Sequence, residues 1–234
     1  MNPIRNNTYA RAEAATYDEG LRSYMLGVYN YMTAGVALTG IVAWLMATYL
    51  PIETLATINT VTFFGMLAYA FLVVPRIQTV SVQAGQVIFF GYAALIGALI
   101  SSLFAVYTDM SIARAFLVSA AAFGGLSLYG YTTKKDLSGW RSFLMIGVFG
   151  LLATLVINAF FIESAPIHYA MCAIGVLIFA GLTAYETQAI RRSYYEVGGT
   201  PEIAAKVSIL GALSLYSAFM NIFIFLLQLM GNRE

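Results

Sequence analysis

Residues Ile167–Ile190 read IHYAMCAIGVLIFAGLTAYETQAI. From Tyr169 to Tyr185 the run carries no charge, and then Glu186 appears one turn before its end. A helix crossing a hydrocarbon core of about 30 Å needs about 20 mainly apolar residues, and this stretch supplies them. Six further runs have the same character: Tyr24–Leu50, Ile58–Val74, Val87–Tyr107, Ala115–Tyr131, Ser142–Phe161 and Ile209–Met230. The breaks carry turn and charge signals: Pro51 with Glu53, Pro75-Arg76, Thr108-Asp109, Lys134-Lys135-Asp136 with Gly139, Glu163 to Pro166, and Gly198-Gly199-Thr200-Pro201. Continuous apolar runs of this length fit helices, whereas a membrane β-barrel shows short alternating segments. The expectation is an all-α integral membrane protein with seven transmembrane helices in one domain over 24–231. A polar segment, 1–23, precedes it and a short tail, 232–234, follows.

The composition agrees. Of 234 residues, 12 are Lys or Arg and 11 are Asp or Glu; 10% are charged, 60% are hydrophobic and the mean hydropathy is +0.79. Soluble domains carry about a quarter charged residues. The balance excludes a disordered chain, a nucleic-acid binder and, with Cys172 as the one cysteine, a disulfide scaffold. Residues 1–23 hold Arg5, Arg11, Glu13, Asp18, Glu19 and Arg22 and show no cleavable signal peptide. With the N-terminus in the cytoplasm, the inner segments hold Arg5, Arg11, Arg22, Arg76, Lys134, Lys135, Arg141, Arg191, Arg192 and Lys206, and the outer ones only Arg114 and Arg233. That asymmetry predicts a cytoplasmic N-terminus and an external C-terminus.

Glu186 is then the one charged residue inside a span. An intramembrane acid is a functional hypothesis by default. The plainer reading is that Glu186 snorkels to the headgroups or pairs with Arg191, Arg192 or Arg76. In the seventh span Gly211, Ser214, Ser217, Ala218 and Asn221 recur at spacings of three and four and share one face. Small, weakly polar residues suit close helix packing; a polar lining beside Glu186 is the alternative. Asn30, Gln86, Ser101, Ser102, Ser119, Asn158, Gln188 and Gln228 fit interhelical hydrogen bonds or interface anchors. Enzymatic chemistry is not expected. The one histidine, His168, supplies neither a zinc ligand set nor a nucleophile–base pair, no lysine lies mid-span, and no Walker-type loop is present.

Three stretches carry a resemblance: GLSLYGYTTKKDL at Gly125–Leu137, AYETQAI at Ala184–Ile190, and GALSLYSAFMN at Gly211–Asn221. With seven spans and no soluble domain, the chain resembles the Bax inhibitor-1 (transmembrane Bax inhibitor motif) family, its bacterial branch in particular. The resemblance implies six helices wrapped around a central C-terminal seventh, residence in the bacterial inner membrane, and a passive, pH-sensitive calcium leak. It implies a gate of two aspartates sharing a proton, one in span six and one in span seven, latched by a basic residue. Here the first position is Glu186 and the second is Ala218. Asn221 fits the family's following asparagine, Ser217 stands beside the lost acid, and Arg76 is the candidate latch. Glu186 alone would bind calcium weakly, because calcium favours several oxygen ligands with more than one carboxylate. Calcium is thus expected as a transported ion and not as a bound cofactor.

Three functions follow. The first is a cation leak with Glu186 as its gate, altered by the loss of an acid at Ala218. The second is a non-conducting membrane protein that modulates a membrane-bound protease or a stress pathway through lateral contacts. The third is a proton-coupled transporter, the least supported, because no broken-helix pair is visible.

Overall fold

The computed structural model describes the backbone of residues 3–196 and 201–232, and side chains for 19–196 and 202–232. The side chains of Arg5, Arg11, Glu13 and Asp18, the break at Gly198-Gly199-Thr200, and Arg233 and Glu234 of the tail lie outside the described residues.

Seven helices among the described residues are long and apolar enough to cross a membrane. They are α1 (Pro3–Tyr49), α2 (Ile52–Leu72), α3 (Val82–Val106), α4 (Asp109–Thr132), α5 (Trp140–Ile157), α6 (Ala165–Glu196) and α7 (Pro201–Met230). A 3-10 turn, Val74–Gln78, follows α2, and a π turn, Asn158–Ile162, follows α5. The helix starts explain themselves locally. Ser81 accepts from the Ala84 N–H at 3.3 Å and Thr108 from the Ser111 N–H at 3.2 Å, each satisfying a free amide of a first turn. Glu53, in the first turn of α2, meets the positive end of the helix dipole.

The α5–α6 connection is built on Asn158. Its Oδ1 accepts from the Ser164 N–H at 3.1 Å and its Nδ2 donates to the Ser164 carbonyl at 3.2 Å. The turn places Glu163 at φ 52, in the left-handed region that disfavours a side chain.

The helices outrun the apolar runs. The segment 1–23, expected as a polar lead, is helical from Pro3 onward. The second helix begins at Ile52 and not near Ile58, α6 continues to Glu196, and α7 starts at Pro201. Hydropathy marks where a chain can sit in hydrocarbon. Backbone hydrogen bonding continues beyond that limit until a proline or an unfavourable turn stops it.

Helix α7 is the most buried of the seven. Ile209, Ala212, Leu215, Tyr216, Ile222 and Leu227 are fully enclosed. It packs directly on α1, α3, α4 and α6; α2 lies further out against α3, and α5 against α6. The side of α7 toward α1, α3 and α4 is closed by edge-on aromatic pairs: Phe89 and Tyr92 on Tyr216 at 5.9 and 6.2 Å, and Phe116 and Phe123 on Phe219 at 5.7 Å each. At the centre Thr39 donates to the Ala93 carbonyl at 2.9 Å, so Tyr216 must donate to Thr39, at 2.7 Å. Outward-facing Phe64, Phe71, Phe143, Ile146, Phe160 and Phe161 give α2 and the α5 region an apolar exterior. In a bilayer that surface meets acyl chains.

A second buried chain ties α1, α4 and α6. Thr187 donates to the Thr183 carbonyl at 2.8 Å, Ser127 donates to Thr187 at 3.0 Å, and Tyr29 donates to Ser127 at 2.5 Å. Nearby, α4 and α6 touch backbone to backbone: a Cβ on Gly130 would lie 2.3 Å from the Ala184 carbonyl oxygen. Small residues permit such approach between membrane helices. Gly130→Ala is expected to force the helices apart and to cost about 1–3 kcal/mol, the usual range for overpacking. Thermal unfolding in detergent checks it, with Gly124→Ala as the control, since a Cβ on Gly124 meets nothing within 4 Å. Equal melting of the two variants would show that the crossing has slack.

Candidate functional site

Glu186 is half-buried on α6 and faces a cavity of about 280 Å³ between α5, α6 and α7. From α7 the cavity receives Leu213, Ser214, Ser217 and Ala218; from α5, Met145 and Val148; from α6, Phe179 and Leu182 beside Glu186 itself. The face of α7 read from spacing alone as either a packing seam or a polar lining is thus divided. Gly211 packs on Ile190, whose side chain would lie 2.9 Å from an added Cβ. Ser214, Ser217 and Ala218 line the space in front of the acid. Ala218 is 3% exposed. Its methyl group lines the cavity that Glu186 faces.

Asn221 lies one turn further along α7. It donates from Nδ2 to the Ser217 carbonyl at 2.8 Å, and its side chain borders a second cavity of about 440 Å³ that Asn158, His168 and Gln228 also reach. Ser214, Asn221 and Gln228 are spaced by sevens, so one stripe of α7 runs past both cavities. Gln228 belongs to this stripe. The heptad interval was the signal that would have added it to the five residues recognised from the sequence.

The basic neighbours are placed differently from the sequence reading. Arg76 is exposed in the 3-10 turn, whose Ile77 is buried near Ile209 of α7; it is not among the residues lining the Glu186 cavity. Arg191 donates to the Tyr131 carbonyl and lies 5.7 Å from the centre of that ring. Arg192 bridges to Asp136 at 2.9 Å and donates to Ser138 at 2.7 Å. Neither arginine is left for Glu186, and none of the salt bridges among the described residues includes it. The cation whose field reaches Glu186 is Arg141, at the start of α5. Proximity in sequence had hidden it, because Arg141 follows a loop that folds back over α6.

That loop is held by the residue two after Glu186. Gln188 accepts the Leu137 N–H on Oε1 and donates from Nε2 to the Lys135 carbonyl, both at 2.8 Å. Asp136 is exposed, and its carboxyl is held well below the usual carboxylate range, first by the Ser138 N–H and then by Arg192. The tripeptide Glu186-Thr187-Gln188 therefore points three ways: into the cavity, into the buried hydroxyl chain, and onto the Lys134-Lys135-Asp136 loop.

A family model described as "Inhibitor of apoptosis-promoting Bax1" matches residues 21–234. The chain belongs to the Bax inhibitor-1 family. It is 41% identical over 221 residues to the inner membrane protein YbhL of Escherichia coli, covering 92% of this chain and 94% of that one. It is 39% identical over 222 residues to an uncharacterized protein of Rickettsia prowazekii, covering 94% and 93%. An uncharacterized membrane protein of Streptococcus pyogenes is 33% identical over 223 residues, covering 93% and 96%.

In this Bax inhibitor-1 protein the Gln188 clamp can be tested on its own. Gln188→Leu removes both bonds, and amide exchange in residues 133–139 should quicken while α6 stays protected. Because the Asp136 carboxyl is depressed, its share of the loop's order is complete above the ordinary carboxylate range and is lost only as pH falls toward the depressed value. Lowering the pH to about 4, where a free Asp is half protonated, should leave the loop in place. Asp136→Asn should loosen it at neutral pH and at pH about 4 alike. Hydrogen exchange read by mass spectrometry, corrected for intrinsic rates, distinguishes these cases.

Proposed function

We propose that this Bax inhibitor-1 protein provides a passive, pH-sensitive cation leak across the bacterial inner membrane, with calcium among the ions carried and Glu186 as the titrating group. One observation carries the reading: Glu186 opens into a cavity shared with Ser214 and Ser217, free of any salt bridge to a described residue. An ionised carboxylate in such a place attracts cations, and two hydroxyls can replace part of a hydration shell. A single carboxylate is a poor calcium cage, which suits passage better than retention. The inner-membrane residence of its relative YbhL supports an inner-membrane location, and the excess of Lys and Arg on one set of loops supports a cytoplasmic N-terminus and an external C-terminus.

A two-acid gate opens by releasing a shared proton and a basic latch. Glu186 has neither an acid opposite it at position 218 nor a salt bridge to a described residue, so its protonation removes a charge without releasing either. Ala218 is also the observation that favours the second reading, a non-conducting protein whose lipid-facing helices contact a membrane-bound protease or another membrane protein.

Proteoliposomes loaded with a calcium dye separate the two. Flux above empty liposomes that grows as pH rises is expected for the native sequence. Glu186→Gln should lower it several-fold and flatten the pH profile. Ala218→Asp should restore a steep pH step by recreating an acid pair. Absence of flux from the native protein at any pH would sink the leak reading in favour of the interaction protein.

A further inference from the structure

We infer that Phe179 is the closed gate between two neighbouring cavities that together cross the seam between α5, α6 and α7. The inference rests on the leak reading above and deepens it. The two cavities are neighbours in a row, and two apolar side chains, Phe179 and Val148, line both of them. Along α6, Phe179 lies seven residues from Glu186, about 10 Å, and eleven from His168, about 16 Å. From Glu186 to His168 the two cavities together therefore extend about 27 Å, close to the hydrocarbon thickness of about 30 Å.

Polar groups stand on both sides of the partition. Glu186, Ser214 and Ser217 face one cavity; Asn158, Asn221 and Gln228 face the other. An apolar constriction between two chambers that carry polar groups excludes ions by dewetting, without any charge at the gate.

The ring of Phe179 is braced. It packs at 6.0 Å, tilted by 44°, against Phe225 of α7. Phe225 occupies the space that a side chain at Gly175 would need, since a Cβ there would lie 2.4 Å from Phe225 Cε2. The other wall, Val148, belongs to α5, which packs mainly on α6 and is the freer of the two sides. Widening the gate thus requires a turn of the Phe179 ring or an outward shift of α5, and leaves the aromatic contacts of α7 with α3 and α4 undisturbed.

The test combines accessibility with flux. In a Cys172→Ser background, single cysteines are introduced by Ser217→Cys and Asn221→Cys and exposed in proteoliposomes to a membrane-impermeant methanethiosulfonate from one side at a time. The expected result is that each reacts from one side only, and from opposite sides. Adding Phe179→Ala should make both react from both sides, and should raise dye-reported cation flux several-fold; Phe179→Trp should lower flux. Val148→Ala serves as the second opening variant if Phe179→Ala does not fold. A folded Phe179→Ala protein with one-sided labelling unchanged overturns the gate. Two-sided labelling with no cation flux in any variant keeps the partition and discards the leak. Equal flux from the native protein and Phe179→Ala keeps the leak and discards the gate.

Discussion

A carboxyl group carried on a membrane-crossing helix must keep polar company, and the seam between α5, α6 and α7 is shaped by that demand. At the bilayer centre the charge would cost about 2.5–3.5 kcal/mol on insertion scales, less toward the interface. Glu186 meets the demand without a salt bridge. It lies one turn inside its span and looks into a cavity that Ser214 and Ser217 share. Large side chains on that stripe of α7 would fill the cavity and strand the acid. The small residues there are therefore a condition for carrying Glu186 and not only a means of close packing. The rest of α7 can be bulky, and it is: Tyr216, Phe219 and Phe223 face the other helices and are almost fully enclosed.

This division makes the bundle asymmetric. Toward α1, α3 and α4, the seventh helix is sealed by interlocked rings and by the Tyr216–Thr39–Ala93 hydrogen bonds. Toward α5 it is separated by open space, and α5 finds its support chiefly on α6. Void next to a peripheral helix is where a rearrangement costs least, because few contacts must be broken. The same reasoning explains why the Gln188 clamp matters. It fastens the α4–α5 loop to the end of α6, fixing one end of α5 while its middle stays loosely backed.

Much of this was legible in the sequence. Seven apolar runs and the outlying Glu186 follow from charge placement, and the α7 stripe follows from helical spacing. Segment ends were less legible, because α1, α6 and α7 continue as helices through polar residues that hydropathy assigns to loops. Partners were least legible. Arg191 and Arg192 are near Glu186 in sequence yet are spent on Tyr131 and Asp136, while Arg141, forty-five positions earlier, is the cation that acts on it. Side-chain pairing across helices depends on how the α4–α5 loop folds back, and no periodicity within one helix encodes that. Phe179 escaped notice for a related reason: an aromatic in an apolar run has no distinguishing mark until its position between two cavities is known.

The cavity in front of Glu186 holds one carboxyl and not the pair that the family resemblance implies, which bears on what the site can sense. A pair of carboxyls holds one proton between them because both cannot ionise at close range, so a small change in pH switches a large local charge. One carboxyl titrates over a broad range with no cooperativity. With Ala218 buried at 3% exposure, Glu186 shares its cavity with two hydroxyls and otherwise with apolar side chains, and no second carboxyl lines it. On the proposed leak reading, control of passage then does not reside in the acid alone. Under that reading it passes to steric elements along the same seam, and the Phe179–Phe225 pair is the one that stands between Glu186 and the far cavity.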